Sequence, residues 1–134
     1  MTDFLLDTDT ASRLLRAERG TVNAMRKSGA TTIAISVVTQ SELLFGARLR
    51  ADKPAIMAAV RGFLARVIVH PWDVDAAEIH ASLRAVAKAS GRSAGAFDLM
   101  IAAHARALDF TLVTSDRAIV NLRVDGLHLA NWKK

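Results

Sequence analysis

The chain has 134 residues, a net charge of +5, 51% hydrophobic and 23% charged residues, and no cysteine. This length suits one domain with a single buried core, residues 1–134, and the hydrophobic share excludes a disordered chain. The lack of cysteine removes disulfides, thiolate metal sites and cysteine nucleophiles together.

The positive charge suits a polyanionic partner such as nucleic acid, although the basic residues are spread out as on solvated helix faces. Arginines such as Arg61 and Arg66 interrupt every apolar stretch before it could cross a bilayer, so no membrane span is expected. With Asp3 and no basic start ahead of an apolar segment, the N-terminus does not read as a signal peptide. The expected location is the cytoplasm.

In chain order, "FLLD" (4–7) reads as a short buried strand, and "TASRLLRAE" (10–18) repeats apolar positions at helical spacing. "TTIAIS" (31–36) is a β-branched second strand after the turn signal "KSGA". Ser36 is an N-cap candidate for a helix over 37–50, and Pro54 fits the start of a helix running to about Ala65. "RVIVH" (66–70) predicts a third strand. A long amphipathic helix follows over 73–90, starting at Asp73 or Asp75 with Gly91 just past its end. The alanine-rich stretch 95–109 predicts a central helix, "FTLVTSD" (110–116) a fourth strand, and "LHLANW" (127–132) a fifth at the edge. Strands alternating with helices indicate an α/β/α sandwich around a mainly parallel sheet of four to five strands. Ligands of such sheets bind beyond the carboxyl ends of the strands, where strand order reverses.

Two strands end in an acid, Asp7 and Asp116, and two more acids interrupt apolar helical surfaces, Glu42 in "TQSELLFGA" and Asp98 in "GAFDLMIAA". Isolated buried carboxylates need a cation, hydrogen bonds or a metal. Four hard oxygen donors with no Cys and no clustered His suit Mg²⁺ or Mn²⁺ and not zinc. His70, His80, His104 and His128 are scattered in sequence and form no metal motif. Each acid also has a plain structural reading. Asp98 could cap its helix, Asp116 could be a turn residue, and Glu42 could pair with Arg48.

The segments "FLLDTDT", "ISVVTQSELLFGA", "GRSAGAFDLMIAAHARALDFTLVTSDRA" and "VDGLHLANW" together resemble, in order and approximate spacing, the PIN-domain ribonucleases of the VapC toxin type. The resemblance implies that Asp7, Glu42, Asp98 and Asp116 are the acidic quartet that holds Mg²⁺ or Mn²⁺ and cleaves RNA. It also implies that Thr114 matches the family's threonine before the last acid, with Thr8, Asp9 and Ser115 in support around the ligands. Ser36 and Gly95 match the small residues that open the two acid-bearing helices. A small antitoxin encoded beside the toxin and a homodimer are implied as partners. The chain departs from the common pattern at Asp9, where asparagine is frequent, at Ser93 and Ile119, and in a longer "VNLRV" stretch before Gly126.

The expected mechanism is hydrolysis by a metal-activated water, which needs no 2′-hydroxyl and leaves 5′-phosphate and 3′-hydroxyl ends. Arg92 and Arg117 are the arginines best placed in sequence to hold flanking phosphates. Asp9, in the turn, would cap the following helix or hydrogen-bond a metal-bound water. Apolar residues around 43–49 and 56–63 are a candidate antitoxin groove. One alternative is a haloacid-dehalogenase-like phosphatase, because "DTDTA" resembles that family's opening signature with Asp7 as nucleophile. Ala11 breaks that signature, Lys88 is the only lysine between Lys53 and the tail to stand beside a phosphate, and "TSDRA" offers one acid where that family usually has a pair. A PIN module that binds RNA without cutting it is the other alternative.

Overall fold

The computed structural model describes residues 2–133, which form five strands and seven helices. Strand β1 (Thr2–Leu6) leads into helix α1 (Thr8–Leu15), and α2 (Arg19–Lys27) follows. Next come β2 (Ala30–Ser36), α3 (Val37–Arg48), α4 (Pro54–Arg66) and β3 (Ile68–His70). The remainder is α5 (Val74–Ala89), α6 (Ala96–Leu108), β4 (Thr111–Val113), α7 (Arg117–Leu122) and β5 (Leu129–Ala130).

The strand order is β3-β2-β1-β4-β5, and every pairing is parallel. Register aligns Leu6 with Ile35 and Val113, and Ser36 with His70, so the carboxyl ends of the strands finish on one edge. Connections run one way from β1 to β2 and β3, then the other way to β4 and β5. The order therefore reverses beside β1, and Asp7 follows β1 directly.

Strand side chains alternate between the two faces with a period of two. Leu5, Ala34 and Leu112 enter one core with Leu83, Ile101 and Ile119 from α5, α6 and α7. Phe4, Leu6, Ile35 and Val113 enter the other with Ala11, Leu43, Val60 and Phe63 from α1, α3 and α4. Trp132 closes this second core, its ring edge-on to Phe4 with centroids 5.1 Å apart. Helix α6 buries Ala102, Ala103 and Ala105, whose small side chains let it lie close to the sheet. This explains how so few aromatic residues suffice.

Caps set the helix starts largely as the sequence predicts. The Ser36 hydroxyl accepts from the Val38 N–H at 3.1 Å, Pro54 opens α4, and Asp73, not Asp75, caps α5. The cap of α1 is a correction, because Asp7 and not Asp9 fills it, accepting from the Thr10 N–H at 2.8 Å. Two helices were not expected. In α2, Gly20 and a polar composition hide the helical pattern, and α7 is only 6 residues long. In the candidate antitoxin groove Leu43, Ala47, Val60 and Phe63 belong to the core, whereas Leu44, Ile56 and Met57 are half-buried and Phe45, Leu49, Ala58 and Ala59 stay exposed.

Ile101 is fully buried at the centre of the α5–α6 core. Ile101→Ala is predicted to destabilise the protein by about 2–5 kcal/mol through lost transfer energy and a residual cavity. Urea unfolding at unchanged m-value checks this.

Candidate active site

Four elements each deliver one carboxylate to the carboxyl edge of the sheet. Asp7 follows β1 and is buried, and its N–H donates to the Val113 carbonyl at 3.0 Å, tying the end of β1 to the end of β4. Thr10 donates its hydroxyl to the same carbonyl at 3.3 Å. Glu42 lies on α3, where Thr8 donates its hydroxyl to Oε1 at 2.6 Å. The Thr8 and Thr39 hydroxyls are 3.1 Å apart. Since the Thr8 proton is committed to Glu42, Thr39 must be the donor in that pair. Asp116 caps α7 by accepting from the Ala118 N–H at 2.9 Å, and its own N–H donates to the Thr114 hydroxyl at 3.0 Å. Ser115 lies between them, half-buried.

Asp98 sits in the first turn of α6 behind Gly95. A Cβ on Gly95 would lie 2.8 Å from Asp98 Oδ2, so only glycine leaves room for the carboxylate in this position. The helix N-terminus should favour a charged Asp98. Burial opposes it more strongly, followed by a carboxyl–carboxyl contact with Asp116 and by the charges of Asp116, Asp7 and Glu42, and together they raise the Asp98 pKa from 3.8 to about 6. Desolvation and repulsion win over the dipole.

The pattern of hydrogen bonds leaves the site chemically open. Asp7, Glu42 and Asp116 each have one oxygen anchored by a donor; the second oxygen of Asp7 and of Glu42 is left for another partner, while Asp116 also meets the Asp98 carboxyl. Among the described residues, none of the four pairs with a lysine or arginine, so the salt-bridged reading of Glu42 with Arg48 does not hold. No three acid or histidine side chains among the described residues already form a closed ligand cage. Bare carboxylates splay apart by mutual repulsion, and a hard divalent cation is the group that would draw them together. The donor set therefore fits Mg²⁺ or Mn²⁺.

The other predicted residues fall at varied distances from this chemistry. Asp9 points away into a 2.7 Å ion pair with Arg13, which leaves it no capping role. Arg92 and Arg117 are exposed and unpaired among the described residues. Of the four histidines two meet in space, the rings of His70 and His104 standing edge-on at 6.3 Å, while His80 packs on Trp72. His104 is buried, which pushes its imidazole pKa down, and none of the four acts on Asp98. Sequence reasoning missed Thr39, whose place one helical turn before Glu42 was the available signal. Phe45, which the candidate groove included, and Phe97 are 62% and 55% exposed and line a cavity of about 520 Å³ with Thr8 and Glu42, a role their apolar surroundings in the sequence did not suggest.

An α/β/α sandwich with an acid after β1, another after β4 and two more on the intervening helices defines a PIN domain, and the PIN domain profile matches residues 4–124. The chain belongs to the PIN-domain family, and within it to the VapC type. It is 32% identical to the tRNA(fMet)-specific endonuclease VapC of Shigella flexneri over 98% of this chain and 99% of that protein. Among solved structures it is similar to the DNA-bound VapBC of Salmonella typhimurium, at TM-score 0.87 and 28% identity over 99% of this chain and 100% of that one. It is similar also to VapBC2 of Rickettsia felis bound to a DNA fragment from its promoter, at TM-score 0.86 and 27% identity over 98% and 100% of the two chains.

With its pKa raised, Asp98 holds a proton more tightly in the folded chain than in the unfolded one. Its contribution to stability is present below about pH 4 and is lost as pH rises through about 6. Metal-free Asp98→Asn is therefore predicted to have a higher Tm than the parent at pH 7 and a flatter pH profile between these limits. Calorimetry in EDTA is the check; equal Tm values at pH 7 would show that the repulsion is relieved some other way.

Proposed function

We propose that this chain is a Mg²⁺- or Mn²⁺-dependent endoribonuclease acting as the toxin of a toxin–antitoxin pair. The observation that carries the reading is the convergence of Asp7, Glu42, Asp98 and Asp116 with no neutralising lysine or arginine among the described residues, three of them anchored through one oxygen. The ion would be held chiefly by Asp7 and Asp98, with Glu42 and Asp116 binding directly or through water. When bound, it supplies a lowered pKa for the attacking water and stabilises charge on the phosphate.

The chain's own residues do the rest. Thr8 fixes Glu42 and Thr39 fixes Thr8, so the free Glu42 oxygen can orient the nucleophile. Thr114 holds the backbone of Asp116. Arg92 and Arg117 would hold phosphates on either side of the scissile bond. Phe45 and Phe97 offer exposed rings on which unstacked bases can rest, which suits single-stranded or looped RNA. The Shigella flexneri relative makes tRNA the first RNA to test.

The VapBC structures support a small antitoxin as partner. A peptide that lays an arginine or lysine over the carboxylates would both neutralise the site and exclude the metal. A homodimer is the proposed state of the toxin, and no helix among the described residues is long and apolar enough to cross a membrane. The phosphatase alternative loses its footing, since among the described residues no lysine or arginine is ion-paired with Asp7 and one of its oxygens is committed to the cap.

Cleavage of tRNA is predicted with Mg²⁺ or Mn²⁺, to be abolished by EDTA, and to fall by at least about 100-fold in Asp7→Asn and Asp98→Asn. Asp9→Asn should cut nearly as well as the parent, because Asp9 faces Arg13. Products should carry 5′-phosphate ends; 2′,3′-cyclic phosphates would sink the metal-water mechanism. A folded parent inert under both metals would leave only the non-cutting RNA-binding module. Gly95→Ala is predicted to reduce cleavage by about 10-fold or more by displacing Asp98, with Tm changed by no more than about 4 °C.

A further inference from the structure

A row of cations runs from the second half of α5 into the loop before α6. Arg84 and Lys88 are four residues apart and share one helix face. The helix then ends on Gly91 at φ +67, whose N–H donates to the Lys88 carbonyl at 3.2 Å while the Arg92 N–H reaches back to the Ala87 carbonyl at 3.0 Å. This paired closure folds the chain back over the helix end. Arg92 is thereby kept beside Lys88, and Arg84, Lys88 and Arg92 line a single cavity of about 480 Å³.

No acid lines that cavity, and Ala81 and Ala85 keep its wall low between the charges. None of the three cations has a carboxylate within salt-bridge distance among the described residues. Like charges at this spacing weaken a helix. The helix dipole accounts for Lys88 in the last turn but not for Arg84, which lies before it, where the effect has fallen off. The far wall is Ser93 and Ala94, next to Gly95, against which the Asp98 carboxylate lies. An unpaired cationic groove therefore ends at Ala94, one residue before the glycine that borders the Asp98 carboxylate, whose acidic centre would by itself repel a polyanion.

We propose that this groove is the binding track for the single-stranded RNA backbone on one flank of the scissile linkage, with Arg84, Lys88 and Arg92 each taking a phosphate. Arg84 and Lys88 are about 6 Å apart along the helix axis, which is comparable to the repeat of an extended nucleotide backbone. The cations offset the repulsion from the carboxylates and fix the strand's register, while the acids keep the chemistry. The assignment rests on the nuclease reading of the acidic centre and adds to it where the substrate lies.

The test is binding of a fluorescent single-stranded RNA to the full chain in EDTA, followed by anisotropy from about 50 to about 200 mM KCl. Each phosphate contact on a single strand contributes about 0.7 to the slope of log affinity against log salt. Arg84→Gln with Lys88→Gln should lower that slope by about 1.4, and adding Arg92→Gln should lower it by about 2 in total. The charge-conserving pair Arg84→Lys with Lys88→Arg should restore it, which a merely structural role would not predict. An unchanged slope in the triple variant overturns the proposal. So does a triple variant that keeps the RNA slope but loses poly-glutamate binding, since the groove would then serve an acidic protein. Binding in EDTA needs no cleavage, so a parent that binds RNA without cutting it removes the nuclease reading and still tests the groove.

Discussion

Four carboxylates held at the edge of one parallel sheet repel each other, and much of the local structure serves to keep them there. Burial and neighbouring charge push Asp98 up to about 6. A chain that only needed to fold would do better with amides or apolar groups at these positions. The protein instead fixes them with short-range devices, namely an Asp7 cap, a Thr39–Thr8–Glu42 chain, a Thr114 turn ahead of Asp116, and a glycine that makes room for Asp98. These devices cost little individually and together hold an arrangement that the proposed divalent cation would complete.

The same constraint orders the charge elsewhere. Cations that would quench the acids are kept off them, and Arg13, the nearest arginine in sequence to Asp7, is engaged by Asp9 and Glu18. Arginines and lysine gather instead in a groove that stops just short of α6. Attraction of the polyanion and chemistry on it are thus divided between adjacent surfaces. Exposed Phe45 and Phe97 line a cavity beside Thr8 and Glu42, although an apolar ring is costly to leave in water.

Much of this was legible in the chain. The apolar run of "FLLD", the β-branched "TTIAIS" and the helix starts at Ser36 and Pro54 gave the sandwich, because each depends on neighbours within a few residues. The acids stood out because Glu42 and Asp98 interrupt apolar helices and Asp7 and Asp116 close strand-like runs, although β4 itself stops at Val113 and Asp116 caps α7. Asp7 and Asp9 were harder to separate. Both are near the helix start, and which one caps α1 depends on the backbone turning at Asp7 into an extended conformation, φ −72 and ψ 170, as it leaves β1. Helices α2 and α7 escaped because one contains a glycine and polar residues and the other is too short for its period to show.

The sequence by itself determined most of the element order and the parallel character of the sheet, which follow from periodicity and caps encoded locally, and its resemblance to the PIN-domain ribonucleases singled out the four acids. Only the tertiary structure decided that Asp7, Glu42 and Asp116 are each anchored through one oxygen, that Asp98 meets Asp116, that Asp9 turns to Arg13, and that Arg84 and Lys88 share a groove with Arg92. Those outcomes depend on distances between groups far apart in the chain, from β1 at one end to β4 and α7 at the other. Such distances are set by register and helix packing, which a linear pattern does not record.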